Sequence, residues 1–363
     1  MASPSPPETA EPATSAAGGD IALLHRLVEI ESLSGGEGDA VAELCRQMRA
    51  RGMRAEIDIA GNAVGVIGSG ERRVVLLGHI DTVPGRIPVR VADGVLHGRG
   101  AVDAKGPLCT FVAAASAAAD RLQATVTVVG AVGEERIGSL GATAVARWPA
   151  PDLCVIGEPS GWDAVCLGYR GTLSLIYRLR QAARHMAGPG ESVGERAVAF
   201  WNALGAEVAV RNAAAATTST FATITPTLRG MNTTGDGLHD EATLSIGLRL
   251  PPGLAVPGLL DRLHDLAGDA TLEVDGVQEG YRSDKRSPLV PPFLRAIRAA
   301  GGEPRFTLKL GTSDMTVVGP VWGCPIVAYG PGDAALDHTP EERIVLDDYR
   351  RAIRVLTDVL VAL

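Results

Sequence analysis

The sequence predicts an α/β fold: a mixed sheet with helices on both faces, interrupted by an inserted ferredoxin-like α+β unit. Three observations carry this. Short continuous apolar runs such as VVLLGHI (74–80) alternate with helical patterns, as strands buried on both faces of a sheet do. Near residue 171 the pattern changes to alternating strands in the order β-α-β-β-α-β. After about residue 283 the buried alternation returns.

In order, residues 20–52 carry apolar positions at helical spacing, with a Gly/Ser break at 32–38. Strands follow at 63–68 and 74–80, an Ala-rich helix at 107–120, a strand at 125–133, a helix at 138–147 and a strand at 153–159. The inserted unit reads as a strand at 172–180, a helix at 191–205, strands at 219–230 and 242–250, a helix at 256–267 and a strand at 270–277. A helix at 290–300, a strand at 325–330 and an amphipathic helix at 343–362 complete the chain. The first 19 residues, rich in Pro, Ser and Ala, read as a disordered tail.

Composition narrows the function classes. At 363 residues, with 46% hydrophobic and 21% charged residues, the chain suits two domains, or one large domain with an insertion. A net charge of −8 argues against a general nucleic-acid binder. The five cysteines are odd in number and none sits at CxxC spacing, which suits reduced buried thiols in a cytoplasmic protein. No apolar run reaches the roughly 18 residues of a membrane span, and the start lacks the basic and apolar stretches of a secretory signal.

The strongest polar signals fall where buried strands end, the edge at which open α/β sheets bind ligands. His79 and Asp81 in GHIDTVPG lie two apart on extended chain and so face one side; a buried histidine satisfied by its neighbour fits the pair as well. Asp103 in HGRGAVDAKGP sits in a Gly-rich turn, as a ligand or as a cap on the following helix. Glu134 and Glu135 follow an apolar strand, where two acids are costly unless neutralised, or else open a solvated helix. Glu158 in IGEPS ends another apolar strand, and His338 in LDHTPEE has no apolar surroundings to make it core. Two histidines and three carboxylates suit a pair of divalent ions, with a spare glutamate as general base.

These blocks, in this order, resemble the dinuclear metallopeptidase family of aminoacylases, acetylornithine deacetylases, succinyl-diaminopimelate desuccinylases and glutamate carboxypeptidases. The resemblance runs from residue 20 to the end. It implies a zinc-peptidase-like catalytic domain over 20–170 and 283–363, with a lid and dimerisation domain over 171–282. It implies two divalent ions, zinc foremost and cobalt or manganese as substitutes, on His79, Asp103, Glu135, Glu158 and His338, with Asp103 bridging. Asp81 would orient His79, and Glu134 would be the general base. His185 would reach the partner subunit's site and stabilise the oxyanion. Its alternative is a surface turn residue. The segments holding Asn232 and Arg249 would bind the substrate's carboxylate end, although Arg249 also suits a solvated strand position.

Within the family, IGEPSGWDAVCLGYRG, KLGTSDMTVVGP and PIVAYGPGDAALDHTPEE are most similar to hydrolases that release lysine or ornithine from the C-terminal glutamate side chain of an acidic amino-group carrier protein. Gly311, Thr312 and Ser313 would then supply polar groups to the substrate pocket. Docking an acidic carrier calls for basic surface. Arg170, Arg178, Arg180 and Arg184, and seven basic residues between Arg282 and Lys309, are candidates. An N-acetylornithine deacetylase or related N-acyl amino acid hydrolase is the alternative among enzymes; a non-catalytic regulatory module is the alternative of another class.

Overall fold

A computed structural model describes residues 17–185 and 187–363. The chain begins with α1 (Ala17–Glu29) and α2 (Gly38–Ala50), followed by β1 (Arg54–Ile57), β2 (Ala63–Ile67), β3 (Arg72–His79), β4 (Arg90–Ala92), β5 (Val95–His97) and α3 (Lys105–Ala118). Next come β6 (Ala124–Ala131), α4 (Leu140–Val145), β7 (Leu153–Gly157) and β8 (Ala164–Tyr169). The inserted segment runs β9 (Gly171–Ala182), α5 (Val193–Ala214), β10 (Thr225–Gly235), β11 (His239–Leu250), α6 (Val256–Ala267) and β12 (Thr271–Gln278). The chain finishes with β13 (Tyr281–Arg282), α7 (Val290–Ala299), β14 (Arg305–Lys309), α8 (Met315–Trp322), β15 (Ile326–Ala328), β16 (Arg343–Val345) and α9 (Leu346–Ala362).

The large sheet is mixed, in the order β1-β2-β6-β3-β7-β15-β8-β13, with β14 also on β8. Its centre, β6-β3-β7-β15, is parallel. The continuous apolar run of β3 has a direct cause. Val74 and Leu76 point into the layer with α1, α2, α3, α7 and α9, while Val75 and Leu77 point into the layer with α4 and α8. Both faces are therefore buried, and successive side chains serve different cores.

The second sheet has the order β10-β11-β9-β12, antiparallel throughout, which is the ferredoxin-like arrangement. One face is apolar: Leu173, Leu175, Tyr177 and Leu179 of β9 and Leu244, Ile246, Leu248 and Leu250 of β11 pack on α5 and α6. Tyr177 stacks on Phe200 with ring centroids 4.5 Å apart. A capping box between Ser192 and Glu195 starts α5. The intervening residues of β9 and β11 face the other way, and of these Thr172, Ser174 and Arg249 line a cavity shared with residues of the first sheet's loops.

Several elements depart from expectation. The tail expected over 1–19 lies outside the described residues except for 17–19, which are the first turn of α1. Helix α5 continues past Gly205 to Ala214, because the helix keeps burying Leu204 and Val208. Strand β10 starts and ends later than expected, since its partner β11 extends the ladder through Thr234 and Gly235. Strand β8 and helix α8 were not anticipated. β8 meets β9 with only Arg170 between them, so the two strands read as one run, and α8 contains Pro320.

Candidate metal and substrate site

The C-terminal ends of β3, β6 and β7 deliver the site. His79 is the last residue of β3, Glu134 and Glu135 follow β6, and Glu158 follows β7. His338 comes from the loop after β15 and Asp103 from the turn before α3. Parallel pairing sends all three strand ends to one edge, so side chains far apart in sequence converge.

The convergence is tight. His79 Nε2 lies 3.1 Å from Asp103 Oδ1. His338 Nε2 lies 2.9 Å from Asp103 Oδ2 and 3.0 Å from Glu135 Oε1. Ligand atoms of His79, Asp103 and Glu135 all fall within 4.8 Å of one another. Glu134, Glu135, Glu158, Asp103 and His338 line one cavity of about 400 Å³. Asp103 thus faces a different histidine with each oxygen, the placement a bridging carboxylate requires.

Supporting groups fix this geometry. His79 Nδ1 donates to the Asp81 carbonyl at 3.0 Å, which turns Nε2 toward Asp103. The Asp81 carboxylate is 3.5 Å from the same nitrogen and does more elsewhere. It accepts from the backbone N–H of Glu134 at 3.1 Å and of Glu135 at 3.0 Å, and from Ser34 Oγ at 2.7 Å. Glu342, buried, accepts from the N–H of Val102 and Asp103 and from Arg99, clamping the Asp103 turn. Lys105 donates its ammonium to the carbonyls of Leu27 and Ile30, closing the C-terminal end of α1 behind the same turn.

The electrostatics state what the cluster needs. Burial and the nearby Asp103 hold Glu158 well above the ordinary carboxylate range. Burial also raises Glu134 well above it, opposed by His79 and reinforced by Asp314 and Glu135. For Asp103, burial acts to raise the carboxyl, and the hydrogen bonds from His338 and His79 overcome it and hold it low. Hydrogen bonds to Asp103 and Glu135 push His338 up to about 10. Four carboxyl groups and two imidazoles converge at this edge, and carboxyl groups raised by burial and by one another are the ones that bound cations would relieve. Mixed oxygen and nitrogen donors suit zinc, cobalt or manganese. The residues present therefore fit divalent ions.

The remaining expected residues divide. Arg249, Gly311 and Thr312 line the cavity, and Arg249 Nη1 lies 3.4 Å from Thr312 Oγ1. Ser313 does not line it. Its hydroxyl accepts from the N–H of Met315 and its carbonyl from Thr316 Oγ1, so in this structure it is engaged in the turn that starts α8. His185 is exposed on the loop after β9, with Nδ1 accepting from the N–H of Ala187, and it does not line the cavity of this chain. Asn232 is exposed on β10 and also stands away from it. Arg170, expected on a docking edge, is buried; it holds the Thr223 and Arg249 carbonyls and joins the two sheets. Arg178, Arg180, Arg184 and Arg305 pair with Glu273, Asp236, Glu195 and Asp163.

Other groups at the site were not singled out in advance. Arg229, Lys309 and Asp337 line the cavity. Burial and Asp103 push Asp337 up to about 8. Asp314 is buried, neither oxygen has a hydrogen-bond partner among the described residues, and burial pushes it up to about 7. It lies in KLGTSDMTVVGP, the stretch from which the resemblance points to Gly311, Thr312 and Ser313 but not to this carboxylate.

Comparison with known proteins agrees with this architecture. The description of peptidase family M20/M25/M40 matches residues 75–362. The chain belongs to this family. The LysW-lysine hydrolase of Deinococcus radiodurans is 46% identical over 347 residues, covering 94% of this chain and 96% of the relative. The LysW-lysine/LysW-ornithine hydrolase of Saccharolobus islandicus is 27% identical over 281 residues, covering 77% and 78%. An M20 family metallo-carboxypeptidase from Sulfolobus solfataricus shares the fold, with a TM-score of 0.74 at 19% identity over 94% of this chain and 98% of that one. This family member therefore has a mixed catalytic sheet and a second antiparallel sheet, with the candidate metal cluster between them. Among the described residues, no helix is long and apolar enough to cross a membrane.

Proposed function

We propose that this chain is a dinuclear metal-dependent hydrolase that releases lysine or ornithine from the C-terminal glutamate side chain of an amino-group carrier protein. The observation that carries the reaction type is the convergence of His79, Asp103, Glu135, Glu158 and His338 beside a spare acid, Glu134. The names of the relatives support the substrate class.

The five ligands would hold two divalent ions, with zinc the first candidate, and those ions would polarise the amide carbonyl and ease ionisation of water. Glu134 takes a proton from the attacking water and returns it to the departing amine. It lines the cavity beside the ligands without being one of them, the place for a group that holds a proton between the two transfers. Asp81 holds the backbone of both Glu134 and Glu135, so base and ligand are set by one carboxylate. Arg249 and Thr312 receive the carboxylate of the departing amino acid. Exposed Arg282, Lys285, Arg286, Arg295 and Arg298, which form no ion pair among the described residues, remain for docking an acidic carrier in the cytoplasm.

The test is turnover of the carrier conjugates of lysine and ornithine against free N-acetylornithine, using metal-loaded enzyme. The expected result is a kcat/KM for a carrier conjugate at least about a hundredfold above that for the small amide. Equal or better turnover of the small amide would replace the carrier reading with a deacetylase.

A further inference from the structure

We propose that Arg229 and Ser174 complete, with Arg249, a clamp for the carboxylate of the amino acid being released; this rests on the substrate reading above and adds residues to it. Three independent features of the inserted sheet lead here.

The first is a β-bulge. The β10–β11 register shifts between Leu228 and Gly230, leaving Arg229 as the unpaired residue. A bulge of this kind re-aims one side chain, and here Arg229 lines the cavity.

The second is Gly247. A Cβ there would meet Nε, Nη2 and Cζ of Arg229 at 2.6–2.8 Å. The guanidinium lies against the bare backbone of β11, in space that a side chain would occupy. Gly247 and Arg249, two apart on the strand, share the cavity face. The two guanidinium groups are close enough that Arg229, after burial, depresses the proton affinity of Arg249. Neither arginine forms an ion pair with a carboxylate among the described residues. Like charges held together with no carboxylate in ion-pair contact are set up to receive an anion.

The third is Ser174. It stands opposite Gly247 across the β9–β11 ladder, lines the cavity and is 4% exposed. Its hydroxyl has no hydrogen-bond partner among the described residues. A buried donor left unused at the edge of two arginines is a place for a carboxylate oxygen.

The side of the scissile bond follows from Glu134. It lines the same cavity as Ser174, Arg229 and Arg249, and on the reading above it is the group that returns the proton to the departing amine. The clamp therefore lies on the amine side, where the carboxylate of the released amino acid is carried by the carbon bonded to that nitrogen.

The experiment measures, by calorimetry on metal-loaded enzyme, the binding of lysine, ornithine, leucine and glutamate, each against its α-carboxamide. Wild type should favour the carboxylate over the carboxamide by about tenfold or more, whichever side chain binds best. Arg229→Ala should remove most of that preference by weakening the acid alone. Arg229→Lys should restore part of it, since charge returns without the fork. Gly247→Val should mimic the loss with Arg229 still present, and Ser174→Ala should cause a smaller one. Equal binding of acid and amide by wild type, no detectable binding of any of these amino acids, or a preference unchanged in Arg229→Ala would each overturn the clamp. A clamp that works best on leucine or glutamate would refute the basic-amino-acid reading while leaving the clamp standing.

Discussion

Asp81 shows how much one buried side chain can determine. Its carboxylate is fully buried and holds the N–H groups of Glu134 and Glu135 together with the Ser34 hydroxyl, while its carbonyl sets the ring of His79. An Asn at this position keeps the volume but brings an NH₂ that cannot accept from any of these donors. Asp81→Asn is therefore expected to weaken metal binding by about 10–100-fold and to lower kcat as well, because the base moves with the ligand. Chelator competition and turnover on the same preparation measure both; a loss of kcat with metal affinity intact would confine Asp81 to the base. The sequence made His79, Glu135 and Glu158 legible because each follows or ends a buried run in which a polar residue is conspicuous, and Asp103 and His338 legible through a Gly-rich turn and a polar loop with no core role. Arg229 was not legible, since a bulge aims it and a bulge leaves no mark in a period-two pattern. Ser313 shows a related point: a polar residue in a loop can serve the turn, as its bonds to Met315 and Thr316 do.

At the scale of elements, the site depends on how closely the Asp103 turn packs on the start of α3. Gly106 lies in the first turn of that helix. A Cβ there would meet the Ala101 carbonyl oxygen at 2.4 Å and Ile344 Cδ1 at 2.9 Å. Helix propensity alone would make Gly106→Ala stabilising by up to about 1 kcal/mol. The collision is with backbone, which cannot rotate away, so crowding wins. The expected outcome is a destabilisation of about 1–3 kcal/mol, read as a lower urea midpoint, together with weaker metal binding as Asp103 shifts. A midpoint equal to or above wild type would show that the turn yields without cost. Periodicity found most of the long helices and buried strands. It missed β8 and α8, where a one-residue junction and an internal proline hide the element, and where tertiary packing decides what local preference does not.

At the scale of the molecule, two expected residues are exposed and stand outside the cavity of their own chain. His185 and Asn232 are both exposed on the inserted segment, the first on the loop after β9 and the second on β10. The proposal that His185 stabilises the oxyanion then requires a second copy, placed so that each inserted segment reaches the other's site. Complementation tests this directly. A Glu134→Ala chain lacks the base but still carries His185; a His185→Ala chain has its base but lacks the donor. In a mixed dimer the site built on the His185→Ala chain keeps its own Glu134 and receives His185 from its partner, so it is whole. The other site lacks its base. Random mixing of equal amounts makes half the dimers mixed and one site in two of those competent, so activity should recover to about a quarter of wild type. If His185 instead works within its own chain, each site in a mixed dimer lacks one group and nothing is recovered. Confirmed mixed dimers that stay inactive would therefore return His185 to the role of a surface turn residue.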